Sequence, residues 1–92
     1  MGNKIVILNN TDNVGVAIIP LKKGEFIKIN DNIIKVLNDI EFGHKIALAD
    51  VYSGEKILKY GVPVGVASTS IIKGEHVHTH NMKSLYVKQF TK

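Results

Sequence analysis

The chain is predicted to be all-β, on three observations. Its apolar residues come in short β-branched runs rather than in long amphipathic stretches. Gly, Asn, Asp, Pro or Ser bounds each run and supplies turn chemistry. No segment keeps a 3.6-residue apolar period over the roughly ten residues that a helix needs.

The first run, 4–8, holds Ile5-Val6-Ile7-Leu8 and ends at Asn9-Asn10. It reads as a strand and is far too short for a signal sequence or a membrane span. Gly2 follows Met1, but Val6 stands where a myristoylation signal has Ser or Thr. The second run, 14–19, meets Pro20 at its edge, where a missing N–H does the least harm. Strands are expected next at 26–29 and 33–37. The best helical candidate, 33–41, is too rich in β-branched residues and in asparagine to hold, and a single 3₁₀ turn near 39–42 is the most that the sequence allows there. Further strands are expected at 45–48, 57–60, 62–67 (with Pro63 at its edge), 77–79 and 85–90.

Three turns share one signature: Lys23-Gly24-Glu25, Ser53-Gly54-Glu55 and Lys73-Gly74-Glu75. Glycine takes the backbone conformation that a tight turn demands, so these read as turns before they read as active-site parts. An internal repeat accompanies two of them. Val14-Gly15-Val16-Ala17 recurs as Val64-Gly65-Val66-Ala67, and Lys23-Gly24-Glu25 recurs at the same offset as Lys73-Gly74-Glu75. Two related β-elements around a pseudo-two-fold axis explain this most simply. In this alignment Phe26, Lys28 and Asn30 of the first copy face His76, His78 and His80 of the second.

Those histidines carry the strongest chemical signal. In Gly74-Glu75-His76-Val77-His78-Thr79-His80-Asn81, three of the chain's four histidines occupy alternate positions, the spacing of one strand face. The bland reading is a polar strand face that happens to be His-rich. The sharper one is a site that binds a metal or an anion, or moves protons. Residues two apart on a strand are separated by roughly 6.6 Å and residues four apart by roughly 13 Å. Two imidazoles at the shorter spacing can close on one ion, whereas three on a straight strand cannot. A pair is therefore expected, His76 with His78 or His78 with His80, the remaining histidine serving as acid/base or contacting substrate.

Composition limits the alternatives. Ninety-two residues make one small domain, 1–92, with a core at about 4–81 and a tail, 82–92, that is a candidate partner-contact segment. There is no cysteine, so disulfides and thiolate metal sites are excluded, and a cytoplasmic location is the expectation. The net charge of +4 comes from lysines alone, with no arginine and no run longer than Lys22-Lys23. Aromatic residues are few and scattered. That pattern argues against nucleic acid and fits small anionic substrates better.

The ordered blocks Asp12-Asn13-Val14, Gly43-His44-Lys45-Ile46-Ala47-Leu48, Lys59-Tyr60-Gly61 with Val64-Gly65, and Gly74 to Asn81 resemble the SAF domain of the altronate/galactarate dehydratase family. The resemblance runs from about Lys4 to Asn81. It implies a β-clip fold with internal two-fold pseudo-symmetry. It also implies a small or N-terminal subunit of a metal-dependent hydro-lyase that dehydrates a sugar acid such as altronate or galactarate, beside a large catalytic subunit. The small subunit of a sulfolactate sulfo-lyase is the nearest alternative, and a stand-alone sugar-acid or anion-binding module is another, because the fold alone does not specify an enzyme. A self-assembling homo-oligomer is a weaker reading. The implied cofactor is a divalent metal, Fe²⁺ or Mn²⁺, with His76, His78 and His80 as its candidate ligands. His44 and Lys45 are candidate catalytic residues, the first to protonate a leaving group and the second to hold a carboxylate. Asp12-Asn13 reads first as a turn bonding its own backbone, and the resemblance adds it as a substrate-site edge. Asn81 either caps the strand end or donates to a substrate oxygen.

Overall fold

The structure is a computed structural model that describes residues 4–29 and 31–84. Every regular element in it is a strand: β1 (Ile5–Val6), β2 (Val14–Ala17), β3 (Phe26–Ile29), β4 (Asn32–Lys35), β5 (Lys45–Ala47), β6 (Lys56–Lys59), β7 (Val62–Ala67), β8 (His76–Val77) and β9 (Met82–Ser84). No helix of the described residues is long and apolar enough to cross a membrane. A central antiparallel sheet has the order β1-β2-β5-β8, flanked by the hairpin β3-β4 and by the sheet β6-β7-β9. The body is elongated, 45 × 22 × 21 Å.

Side-chain alternation gives the central sheet two buried faces. One face sends Ile5, Ala17 and Ile46 into a cluster with Ile27 and Ile34 of the first hairpin. The other sends Val14, Ala47 and Val77 into a second cluster with Ile57 and Ala67. A strand covered on both sides has no solvent face to mark with polar residues. That is why Val14-Gly15-Val16-Ala17 reads as a continuous apolar run.

Four turns, not three, organise the chain. Gly24, Gly43, Gly54 and Gly74 have φ of +96°, +84°, +91° and +97°. In each turn the residue after glycine donates its N–H to the carbonyl of the residue two before glycine: Glu25 to Lys22, His44 to Glu41, Glu55 to Tyr52 and Glu75 to Ile72. In the three Gly-Glu turns the carboxylate also accepts the N–H of that same residue, at 2.7–2.8 Å. The backbone pairings then repeat at an offset of thirty or thirty-one positions. Leu21 bridges Ile40 as Val51 bridges Ile71. Gly24 N–H bonds Val36 C=O as Gly54 bonds Ala67, and Gly43 bonds Ala17 as Gly74 bonds Ala47. The internal repeat is therefore present, but its structural twins are β3 with β6, β4 with β7 and β5 with β8. The offset of fifty read from sequence matches turns of like chemistry, such as the bonds of Lys23 N–H to Asp39 and Lys73 N–H to Asp50. It does not match Phe26 with His76, since β3 is a hairpin strand and β8 lies in the central sheet.

Other expectations are corrected locally. Over 39–42, where the sequence allowed at most a 3₁₀ turn, Ile40 forms a bridge to Leu21, because its apolar side chain is needed in the first core. The strand expected at 77–79 is β8, ending at Val77, and the chain turns over 78–81 into an unforeseen strand, β9, which pairs with β7. The strand expected at 85–90 lies outside the described residues, and of the tail 82–92 proposed for a partner contact only 82–84 is described, as β9 against β7.

Two predictions follow from the turns. Gly54 has open space where a Cβ would stand, whereas a Cβ at Gly74 would run into the Lys35 carbonyl oxygen. Gly54→Ala is expected to lower stability by about 1–2 kcal/mol through its positive φ alone, and Gly74→Ala by at least twice that, read from urea midpoints at unchanged slope. Glu25 is held below the ordinary carboxylate value first by Lys4, whose ammonium lies 2.7 Å from it, and then by the Lys22 N–H. A depressed folded pKa stabilises above the unfolded pKa, and the gain is lost as pH falls through the folded one. Glu25→Gln should therefore cost about 0.5–1 kcal/mol at neutral pH, and its deficit should vanish in acid, as denaturation across a pH series will show.

Candidate functional site

The pairing of β5 with β8 builds the site. Lys45 lies opposite Val77 and Ile46 opposite His76. Continuing this register by one residue sets His44 across from His78, and alternation puts His76 on the same face. The rings follow: His44 stacks on His78 at 4.6 Å between centroids and on His76 at 5.1 Å, and His76 lies 5.4 Å from His78. His44 Nδ1 and His76 Nε2 are 2.9 Å apart, one donating and the other accepting. One ring nitrogen from each of His44, His76 and His78 can be chosen so that all three lie within 4.8 Å of one another.

His44 thus belongs with the strand histidines, which the linear spacing of the sequence did not reveal. The signal was there in another form. Gly43-His44 holds the place that Gly-Glu holds in the other three turns, so an imidazole stands where a turn-closing carboxylate recurs. Glu41, two residues before that glycine, carries an oxygen 3.8 Å from His44 Nε2. Burial first, and then the charges of His44, His80 and His78, push the His76 imidazole below the usual histidine value, while Glu41 pulls the other way. His80 is outside the triple: its ring is tilted by 39° against His76 at 5.4 Å.

Asn81 fixes the turn that follows. It is buried, its Oδ1 accepts the His78 N–H at 3.0 Å, and its Nδ2 donates to the His76 carbonyl at 2.9 Å. Its amide is engaged with the backbone of the very residues that carry the rings. On the outer edge of β8, the His76 N–H donates to Asn38 Oδ1 at 3.0 Å. The site histidines are therefore held through their main chain from both sides.

The remaining candidates stand apart from the cluster. Lys45 neighbours His44 in sequence but points to the opposite face, toward the side of Val77 and Ala47. Burial there, and then the nearby Lys59 charge, lower its ammonium from the ordinary lysine value. The Asp12 and Asn13 side chains do not bond their own turn. The Asp12 carboxylate accepts the N–H groups of Tyr60 and Gly61, at 3.1 and 2.8 Å. Asn13 bonds Lys56 C=O and Leu58 N–H. Tyr60 and Gly61 both have positive φ, the signature of a two-residue type I′ hairpin turn. Tyrosine is costly there, and the Asp12 carboxylate offsets this by bonding both amides.

A two-faced β-sheet closed by Gly turns, with imidazoles gathered at one end of one face, defines a small β domain carrying a polar site. The chain belongs to the altronate/galactarate dehydratase SAF domain family, whose model matches residues 3–85. It is 38% identical over 73 residues to the altronate dehydratase of Escherichia coli K12, covering 79% of this chain and 15% of that protein. It is 43% identical over 77 residues to the altronate dehydratase of Bacillus subtilis 168, covering 84% and 16%. Over 50 residues it is 44% identical to the (2R)-sulfolactate sulfo-lyase subunit alpha of Chromohalobacter salexigens, covering 54% of this chain and 53% of that subunit. The chain thus matches about a sixth of the length of the dehydratases and about half of that of the sulfo-lyase subunit.

Replacing Asn81 with alanine orphans the His78 N–H and the His76 carbonyl together. Asn81→Ala is expected to destabilise the domain by about 1–3 kcal/mol and to speed exchange of the His78 amide selectively. Uniform exchange across the central sheet would contradict this local role.

Proposed function

We propose that this domain contributes a three-imidazole site, His44, His76 and His78, to a hydro-lyase acting on a sugar acid, and that a larger catalytic polypeptide completes that site. The observation that carries the reading is the convergence of three imidazole nitrogens within 4.8 Å on a chain of this family. The donor set suits a divalent metal such as Fe²⁺ or Mn²⁺, for which imidazole is a good ligand. Two nitrogens bound at about 2.0–2.1 Å in tetrahedral geometry stand about 3.4 Å apart, so small ring rotations bring these three into range. When bound, such an ion supplies positive charge for the substrate carboxylate and Lewis acidity for the departing oxygen.

The chain's own groups have separate tasks in this proposal. His44, His76 and His78 hold the ion, and Asn81 and Asn38 fix the backbone beneath them. His80, next to the triple but outside it, is placed to move a proton to or from a leaving hydroxyl. Lys45, on the other face, attracts anions without joining the histidines. Asp12 and Asn13 hold the β6-β7 hairpin in place.

Anaerobic calorimetric titration of Fe²⁺ and Mn²⁺ tests the assignment. One equivalent should bind per chain. His44→Ala and His76→Ala should each weaken it by more than the ~10–100-fold typical of outer-shell changes, and His80→Ala should leave it nearly intact. Binding that survives loss of His44, or that is lost with His80 alone, would return the site to the linear His76/His78/His80 set. No binding to the unaltered chain would sink the metal reading and leave the imidazoles to proton transfer.

A further inference from the structure

A strand at the edge of a sheet carries unpaired N–H and C=O groups, which a neighbouring chain can pair. β3 has such an edge. Val36 N–H bonds the Glu25 carbonyl and so fixes the phase of the β3-β4 ladder. Antiparallel pairing alternates, so Ile27 turns its backbone groups to β4 while those of Phe26 and Lys28 point away from it. The structural twin of β3 shows how this edge is closed elsewhere in the fold. On β6, thirty positions on, the corresponding residues are Lys56 and Leu58. There the Asn13 side chain donates to the Lys56 carbonyl and accepts the Leu58 N–H. Nothing among the described residues does the same for β3, where no hydrogen bond reaches the outward backbone groups of Phe26 or Lys28.

β1 offers a second open edge nearby. It is the end strand of the central sheet, and its Lys4 carbonyl accepts the Ile18 N–H. The same alternation turns the backbone groups of Ile5 outward, and they too have no partner among the described residues. Between β1 and β3 lies a groove of about 420 Å³, lined by the apolar Ile5, Ile7, Leu8, Ile27 and Ile29 and by Lys28. No carboxylate lines it. Lys4, at its end, is already paired with Glu25, whereas Lys28 is exposed and has no ion-pair partner among the described residues.

That combination selects an occupant by its chemistry. Open backbone groups bind an extended peptide through main-chain hydrogen bonds, and alternate side chains set the specificity. Side chains turned into the groove meet aliphatic walls and must be apolar. Those on the other face lie beside Phe26, which is 63% exposed, and beside the Lys28 ammonium. A lysine on a strand edge opposes pairing with a cationic strand and favours an acidic one. A second copy of this chain, with its net charge of +4, is disfavoured on the same ground. We infer that the β3 edge is a docking site for an extended segment of another polypeptide, added antiparallel to β3, apolar toward the groove and carrying a carboxylate opposite Lys28. The inference does not depend on the histidines, none of which lines the groove.

The test is an NMR titration of the isotopically labelled chain with a blocked peptide of sequence SVEVLS. In the antiparallel register this peptide sets its glutamate opposite Lys28 and its valines into the groove. Saturable shifts are expected at the Phe26, Lys28 and Ile5 amides, with slower solvent exchange of the Phe26 and Lys28 N–H groups as they enter a ladder. The same peptide N-methylated at its glutamate and leucine cannot donate to β3 and should not bind. Exchanging its glutamate for lysine should weaken binding about three- to fivefold, the worth of an exposed ion pair. Lys28→Glu, a change at an exposed position, should reverse that preference. Absence of saturable shifts at β3, equal binding of the N-methylated peptide, or an unchanged preference in Lys28→Glu would each overturn the inference. So would concentration-dependent shifts of these amides without peptide, which would give the edge to a second copy of the chain.

Discussion

The antiparallel pairing of β5 with β8 is the interaction on which the rest depends. It joins the two structural repeats, gives the central sheet its fourth strand, and sets the register that brings His44 opposite His78. A slip of one residue would turn His76 and His78 to the other face and move Val77 out of the second core. Several contacts block that slip. Ala47 N–H bonds Glu75 C=O, Gly74 N–H bonds Ala47 C=O, and Leu37 N–H bonds Gly74 C=O from the far side. Gly74, pressed against the Lys35 carbonyl, admits no side chain, so the strand starts at one place only.

The site stands on this frame at a cost that the frame absorbs. Three imidazoles in contact repel one another when protonated, and burial adds to the penalty at His76. His44 also gives up the carboxylate-to-amide bond that Glu25, Glu55 and Glu75 make in their turns. A chain shaped only for stability would place a fourth glutamate at position 44. The compensation is structural: buried Asn81 satisfies two backbone groups at the base of the cluster, and Asn38 satisfies a third.

Much of the fold was legible because strand formation here is a local matter. β3 and β7 fall where their β-branched runs lie, and the other foreseen strands differ from expectation by one or two residues at an end. β9 was not legible, because Met82-Lys83-Ser84 has no β-branched residue and pairs only because the preceding turn delivers it to β7. The site was half legible. His76 and His78 announced themselves by alternation, but His44 lies more than thirty residues away and meets them through sheet register, which no linear spacing encodes. Asp12 and Asn13 misled for the same reason. Their residue types suit a local turn, yet their partners lie 43–49 positions on, at the β6-β7 hairpin.

The position of the cluster in the fold bears on how such a domain can work. Both faces of the central sheet are taken up by the two hydrophobic clusters, which leaves no interior space for a site. The rings therefore sit where the sheet runs out, beyond Ile46 and at the edge strand β8, on a turn and a strand end. Groups in that position keep access to water, and water screens their charges and competes for any ligand they hold. Electrostatic catalysis gains most when the reacting centre is dry. The described residues orient the imidazoles by their backbone and do not enclose them. The proposed function divides the labour accordingly, with rigid presentation assigned to the small domain and exclusion of water to a larger polypeptide.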